Sequence, residues 1–369
     1  RIIVANADSG DFMAYLWCDN SDHISTWQSG LAAATPLYLD TEFMRERTFW
    51  PQLALVQVHD GEQIRLIDTT EVNGPTLSPL FQQHPLVMHA CSEDLEAIAA
   101  FTGDYPAVIE DTQIAAALTG EDMQLGYQKV VQMLLGVELP KGATRTNWLK
   151  RPLSQEQLLY AEDDVKYLPE VTDILRDRLV NLGRESWWRE ECQRLLEQAR
   201  TVTAPEKAWR NVKGAGLLQG QALAVLAVLT PWRDRMARER DLPKGFILKD
   251  AQLLDLARSS RSDRGLFSDL GLHPKVIRRD GDTLLELLEA GRRGTPPEPL
   301  PGPPDAQQKK RAKMLRKRVG EIAESMNMKP DVLMRRRWLE SLIRHPDQVP
   351  EPLTGWRNEI VTKPLLELL

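Results

Sequence analysis

The chain has 369 residues, too many for one typical hydrophobic core, so two or three domains are expected. Its 42% hydrophobic and 27% charged residues exclude a disordered or fibrous protein, and no apolar run approaches the roughly 18–20 residues needed to cross a bilayer. The net charge of −6 conceals an asymmetry: residues 306 to 345 carry twelve Lys or Arg against four Asp or Glu, which leaves the remainder at −14. For phosphate binding, where positive charge sits matters more than the average. Cys18, Cys91 and Cys192 are scattered without CxxC spacing, which reads as free thiols in a reducing compartment, with no zinc site and no disulfide-linked partner. The opening residues show no basic start followed by an apolar stretch and a cleavage site, so the expected location is the cytoplasm, away from membranes.

In chain order, residues 1–24 show no assignable pattern. Pro36 to Phe43, Leu53 to Val58 and Gln63 to Asp68 are short β-prone runs, and the turn signal His59-Asp60-Gly61-Glu62 predicts an antiparallel meander. Leu86 to Met88 continues the strand set, Ser92 is the expected cap of a helix through Phe101, and Ile109 to Thr112 precedes a helix from Gln113 to Leu118. Ser154-Gln155-Glu156-Gln157 matches a capping box. The helix it opens carries Leu158, Leu159, Val165 and Leu168 and is perturbed near Pro169. After residue 205 only helical periodicity remains, interrupted by Gly291 to Asp305, a linker with six prolines in fifteen residues. The chain thus reads as α/β in front and all-α behind.

Acidic residues mark the front half. Asp40 and Glu42 are two apart on a predicted strand, so both project from one face. Two carboxylates held together are unfavourable unless one is protonated or a cation lies between them. Asp94 falls in the first turn of a helix, and Asp164 stands four residues after Tyr160 on one helix face. Any single one of these reads more simply as an ordinary surface carboxylate.

Together, LDTEF (Leu39 to Phe43), HACSEDL (His89 to Leu95) and YAEDDVKYL (Tyr160 to Leu168) resemble, in order and spacing, the three motifs of the DEDD exonuclease superfamily. The resemblance assigns catalytic roles to Asp40, Glu42, Asp94, Tyr160 and Asp164, and the four carboxylates as ligands of two divalent cations, Mg²⁺ or Mn²⁺. Hard oxygen donors suit those ions, and a pair of them can activate water and stabilise the leaving oxygen of a phosphodiester. Glu93 and Asp163 are adjacent decoys; only the motif register prefers Asp164. The sister subfamily carries His five residues before the last Asp, where this chain has Leu159, so the tyrosine subtype is implied. Tyr160, with an ordinary pKa near ~10, is no strong base; its implied role is to orient water. The resemblance also sets Lys141 near the substrate phosphate and His89 against the terminal nucleotide, with an exposed lysine and a packed histidine as the alternatives. Cys91 has no partner base and is rejected as a nucleophile.

Trp209 to Ala257, above all WRDRMARERDLP (Trp232 to Pro243), resembles an HRDC domain. The resemblance as a whole is to the ribonuclease D family. It implies an RNase H-like α/β exonuclease domain, with helices around a mixed sheet, followed by all-α HRDC-like bundles. The expected boundaries are residues 25–203 for the nuclease domain, 204–290 for the HRDC domain, 291–305 for the linker and 306–369 for a degenerate second HRDC-like domain. An N-terminal fragment ending near Thr203 is then expected to keep activity on short RNA. The implied activity is release of nucleoside 5′-monophosphates from RNA 3′ ends, with tRNA precursors as the leading substrate. A DNA-directed 3′–5′ exonuclease of the same fold is the nearest rival; the HRDC domain after the nuclease domain favours RNA. A non-catalytic nucleic-acid-binding scaffold is the rival from another class, and gives no reason to gather unpaired acids. KKRAKMLRKR (Lys309 to Arg318) fits either a phosphate-tracking face or a solvated helix surface.

Overall fold

A computed structural model describes residues 15–140, 146–201 and 204–369; Lys141 lies outside the described residues. Its sheet has six strands: β1 (Tyr15–Cys18), β2 (Leu37–Met44), β3 (Gln52–His59), β4 (Ile64–Asp68), β5 (Leu86–Met88) and β6 (Ile109–Asp111), in the order β1-β4-β3-β2-β5-β6. The meander β2-β3-β4 is antiparallel, whereas β1 runs parallel to β4, and β5 parallel to both β2 and β6. The turn between β3 and β4 works as its sequence predicts. The Asp60 carboxylate accepts from the backbone N–H of Glu62 and Gln63, and Gly61 takes a φ of +97° that a side chain would resist.

Around the sheet lie α1 (Ser21–Gly30), α2 (Gly74–Gln83), α3 (Asp94–Thr102), α4 (Thr112–Leu118), α5 (Tyr127–Leu135), α6 (Gln155–Lys166), α7 (Leu168–Asn181) and α8 (Glu185–Arg200). The alternation of β2 and β3 divides the packing. Leu37, Leu39, Val56 and Val58 enter the main core, while Leu55 and Leu66 pack with Ala161 and Val165 of α6 on the other face. The capping box forms, with Gln157 N–H donating to Ser154 Oγ and Ser154 N–H to Gln157 Oε1. The helix it opens ends at Lys166, and Pro169 sits in the first turn of α7, where its missing N–H leaves no bond unmade.

Three expectations are corrected. The segment before residue 25 contributes from Tyr15 onward, because β1 is an edge strand of the sheet and α1 begins at Ser21. Helix α3 begins at Asp94, and its N-cap is Glu93, which makes no side-chain capping bond, so Ser92 is not the cap. Residues 306–369 do not cluster as a domain of their own. Among the described residues, those up to Met44, Gln52–Arg200 and Pro304–Leu369 form one compact unit, and Arg45–Pro51 with Thr201–Pro303 form another.

The second unit is helical: α9 (Gly220–Glu239), α10 (Lys244–Ile247), α11 (Asp250–Arg258), α12 (Arg264–Asp269) and α13 (Pro274–Arg293), which runs three residues past the expected boundary at 290. The stripe Leu223, Leu226 and Leu229 is fully buried with Trp209, Phe267, Leu284 and Leu288. A Cβ on Gly291 would lie 2.6 Å from Val225 Cα, so α13 can approach α9 this closely only with glycine there. Asp241 accepts from the N–H groups of Phe49 and Trp50, which fixes the Arg45–Pro51 segment within this unit.

The last segment supplies α14 (Ala306–Ser325), α15 (Pro330–Leu333), α16 (Arg336–Arg344) and α17 (Lys363–Leu366) to the first unit. Leu315, Leu342, Leu353, Val361 and Leu365, fully buried like the sheet residues Leu39 and Val56, belong with them to one hydrophobic cluster. Arg184 donates to Leu118 O and to Met326 O, and Trp356 stacks on Trp187 with ring centroids 4.5 Å apart. Trp356 Nε1 and the guanidinium of Arg357 both donate to Glu191, across 165 and 166 residues of chain. Such pairing is invisible to local periodicity. No helix among the described residues is long and apolar enough to cross a membrane.

A chain ending near Thr203 therefore lacks part of the nuclease unit's core. Losing several buried leucines and stranding Glu191 and Arg184 should remove several kcal/mol. At roughly 2–4 °C per kcal/mol for a unit of this size, deletion of residues 304–369 should lower the melting temperature by at least about 10 °C or prevent folding. Thermal circular dichroism checks this; an unchanged melting temperature would show the segment to be an appendage.

Candidate active site

Strand β2 lies inside the sheet, and its alternation aims Asp40 and Glu42 at the face covered by α6. Helix α6 carries Tyr160 and Asp164 on one side, four residues apart. Carboxylate oxygens of Asp40, Glu42 and Asp164 lie within 4.8 Å of one another. Asp163, one residue away, is not among them. Asp94, at the start of α3, is held beside this group from the other side of β2: Thr41 Oγ1 donates to Asp94 Oδ1 at 2.5 Å. The decoy Glu93 is exposed.

Burial and mutual repulsion dominate the electrostatics. Desolvation, then the charges of Asp164, Asp94 and Glu42, push the Asp40 carboxyl well above the ordinary range. Glu42 is pushed up to about 9 by burial, Asp164 and Asp94. Asp164 rises to about 7, chiefly by burial, and Asp94 to about 6, where burial outweighs the Thr41 hydrogen bond. Tyr160 hydrogen-bonds to Asp164, and burial with Asp164, Glu42 and Asp40 raises its phenol above the ordinary value. It stays protonated at neutral pH and acts as a donor.

The residues present fit a hard divalent cation. All three gathered donors are carboxylate oxygens, with no His or Cys among them, and Asp164 Oδ2 is buried without a hydrogen-bond partner. A native structure seldom buries a carboxylate oxygen with nothing to satisfy it.

His89 takes the packed alternative. Nδ1 lies 2.9 Å from Thr112 Oγ1 and Nε2 2.9 Å from Leu125 O, so both ring nitrogens serve the protein, and burial lowers its pKa. This is a packed histidine. Cys91 is fully buried, and burial pushes its thiol far up, which suits no nucleophile. Sequence reasoning missed two supporting residues. Thr41 lay inside the quoted LDTEF motif, but its partner is 53 residues away. Asp111 accepts from the N–H groups of Ala90 and Cys91 and caps α4 through Gln113 and Ile114. A carboxylate before a helix was the available signal.

A family model described as 3′–5′ exonuclease matches residues 15–180, and one described as HRDC domain matches residues 222–288. Ribonuclease D of Pseudomonas paraeruginosa is 39% identical over 347 residues, covering 90% of this chain and 92% of its own. This chain belongs to the ribonuclease D family. Ribonuclease D of Xanthomonas oryzae pv. oryzae is 36% identical over 353 residues, covering 94% of this chain and 97% of its own. The crystal structure of Escherichia coli RNase D, an exoribonuclease involved in structured RNA processing, matches with a TM-score of 0.89 at 33% identity, over 97% of this chain and 99% of that one. The protein is a 3′–5′ exoribonuclease, and its family works with divalent metal ions.

The raised carboxyl pKa values have a measurable consequence. Between the ordinary range and about 6 to 9, the folded metal-free protein holds protons that the unfolded chain has released. The four carboxyls therefore lower stability as pH rises through that window, and outweigh the opposite contribution of His59 and His89, whose pKa values burial lowers. Asp60, Asp68 and Glu191 have lowered pKa values and finish titrating at more acid pH. Metal-free protein should melt at progressively lower temperature from about pH 5 to about pH 8, and Mn²⁺ should restore more stability at the higher pH. Differential scanning fluorimetry reads both effects, and a flat profile would mean that the carboxylates ionise freely.

Proposed function

We propose that Asp40, Glu42, Asp94 and Asp164 hold two divalent cations, Mg²⁺ or Mn²⁺, and that with Tyr160 they release nucleoside 5′-monophosphates from the 3′ ends of structured RNA, tRNA precursors foremost. What carries this reading is the approach of the Asp40, Glu42 and Asp164 oxygens to within 4.8 Å, in a setting that raises the pKa of each. Bound there, such a pair of cations would activate a water and stabilise the leaving oxygen. The chain's own residues set the geometry. Thr41 fixes the Asp94 carboxylate, Tyr160 steadies Asp164, and the protonated phenol is placed to orient the attacking water. The Escherichia coli relative is involved in structured RNA processing, and we assign this chain the same class of substrate. Three free cysteines, two of them buried, fit the reducing cytoplasm as its place of action.

Grip on the body of the RNA falls to cations outside the catalytic cluster. Lys309 and Arg316 of α14, with Arg336 and Arg344 of α16, line a groove of about 240 Å³ that also contains Glu340. Lys309 and Arg316 are two helical turns apart on one face, and no ion pair among the described residues engages either. This favours phosphate tracking over a merely solvated surface. The HRDC domain is proposed as a second contact with the RNA backbone.

End-labelled RNA and DNA, incubated with Mg²⁺, Mn²⁺ or EDTA, test the reading: a one-nucleotide ladder from RNA, abolished by EDTA, is expected. DNA degraded in preference to RNA would sink the RNA assignment. Asp164→Asn should nearly abolish turnover, while Asp163→Asn changes little; the reverse would overturn the motif register. Tyr160→Phe should lose about 10–1000-fold in kcat with Mn²⁺ binding retained. Lys309→Gln combined with Arg316→Gln should raise KM on tRNA-sized RNA without lowering kcat, and flatten the salt dependence of binding by about 0.7–0.9 per lost contact.

A further inference from the structure

Gln57 of β3 is completely buried, and neither Oε1 nor Nε2 of its carboxamide has a hydrogen-bond partner. Leaving such a group unsatisfied costs about 1–3 kcal/mol per polar atom, so an apolar side chain of the same size would serve the packing better. The sheet register shows what the amide lies beside. Gln57 pairs with Asp40 on β2 and with Leu66 on β4. Residues directly opposite in an antiparallel ladder share a face, with Cβ atoms about 4.5–5.5 Å apart. The next pair along, Glu42 with Leu55, projects from that same face. Gln57 and Asp40 therefore stand side by side beneath α6, the helix that carries Tyr160 and Asp164. Leu55, Leu66 and Ala161 on this face offer the amide nothing polar.

We propose that Gln57 is a positioning residue for Asp40, its Nε2 donating to the Asp40 carboxylate when a cation is held there. This rests on the reading of the carboxylate cluster as a cation site. A carboxylate has about four acceptor positions. One Asp40 oxygen faces Glu42 and Asp164, and the Thr41 backbone N–H takes one position, which leaves room for a further donor. The terminal torsion of glutamine is broad, so Nε2 can turn onto that position without repacking the strand. A donor behind a ligating carboxylate restricts it to one orientation. Loss of such outer partners commonly weakens metal binding about 10–100-fold. The orphaned amide is then a stability liability kept for the site it serves.

Gln57→Met removes the amide and keeps length and volume. Metal-free Gln57→Met should melt at or above the wild-type temperature, while its Mn²⁺ affinity by isothermal titration calorimetry falls about 10–100-fold. Its kcat should fall as well, with KM for a short RNA unchanged. Wild-type affinity and kcat in this variant would overturn the inference while leaving the cation site intact. A melting temperature several degrees below wild type would also overturn it, by making the amide a structural element. If Gln57→Met does not fold, Gln57→Leu is read by the same criteria, and failure of both to fold counts against the proposal. Asp164→Asn separates the two levels. Should it bind Mn²⁺ as tightly as wild type, the carboxylate cluster is not the cation site, and the proposed function fails and takes the role of Gln57 with it.

Discussion

Three carboxylate oxygens within 4.8 Å of one another, largely shielded from water, repel until positive charge arrives between them. Much of the nuclease unit can be understood as the framework that withstands this repulsion. Strand β2 has neighbours on both sides, so Asp40 and Glu42 cannot swing apart without breaking the ladders to β3 and β5. Helix α6 is pinned by its capping box and by Ala161 and Val165 in the core beneath, which keeps Asp164 facing them. Thr41, pointing away from that pair, bonds to Asp94. One short strand thus addresses all four carboxylates, two through its own side chains, one across the α6 layer, and one through its intervening threonine. Repulsion stored in this way costs the metal-free fold stability and favours a cation that relieves it.

The carboxylate cluster was legible in the sequence because it is written in local spacing. Two acids at i and i+2 on a β-prone run, and a tyrosine and an acid at i and i+4 behind a capping box, translate directly into faces of a strand and a helix. The meander was legible for the same reason, since Asp60 and Gly61 make a turn within four residues. Strand β1 was not. Tyr15–Cys18 is four residues long, and it acquires strand character from pairing with β4, nearly fifty residues on. The C-terminal segment failed for a similar reason. Its apolar stripe and basic face are what an independent helical bundle would show. What assigns it to the nuclease unit is a set of contacts that span more than a hundred residues, such as Arg184 to Met326 and Arg357 to Glu191. Nothing in the β-prone run Leu53 to Val58 singles out Gln57; only the register beside Asp40 and the absence of partners give it a role.

Those long-range contacts also reach the carboxylate cluster, by packing. Trp356 and Arg357 fasten on Glu191 of α8, and Arg194 of the same helix bonds to Glu190, Glu191 and Glu351. Three residues before Glu191, the Trp188 indole donates to Asp111 O; one residue after it, Cys192 Sγ accepts from Asp111 N–H. The Asp111 carboxylate in turn holds the N–H groups of Ala90 and Cys91. Ala90 has a φ of +61°, a conformation an alanine resists unless its surroundings impose it. That bend is the turn from β5 into α3, and α3 opens with Asp94. A strained turn supported by a buried carboxylate, itself supported by α8, is only as well ordered as α8. The terminal segment, far from the cluster in sequence, therefore acts on it through order: it holds still the helix that holds the turn that presents Asp94.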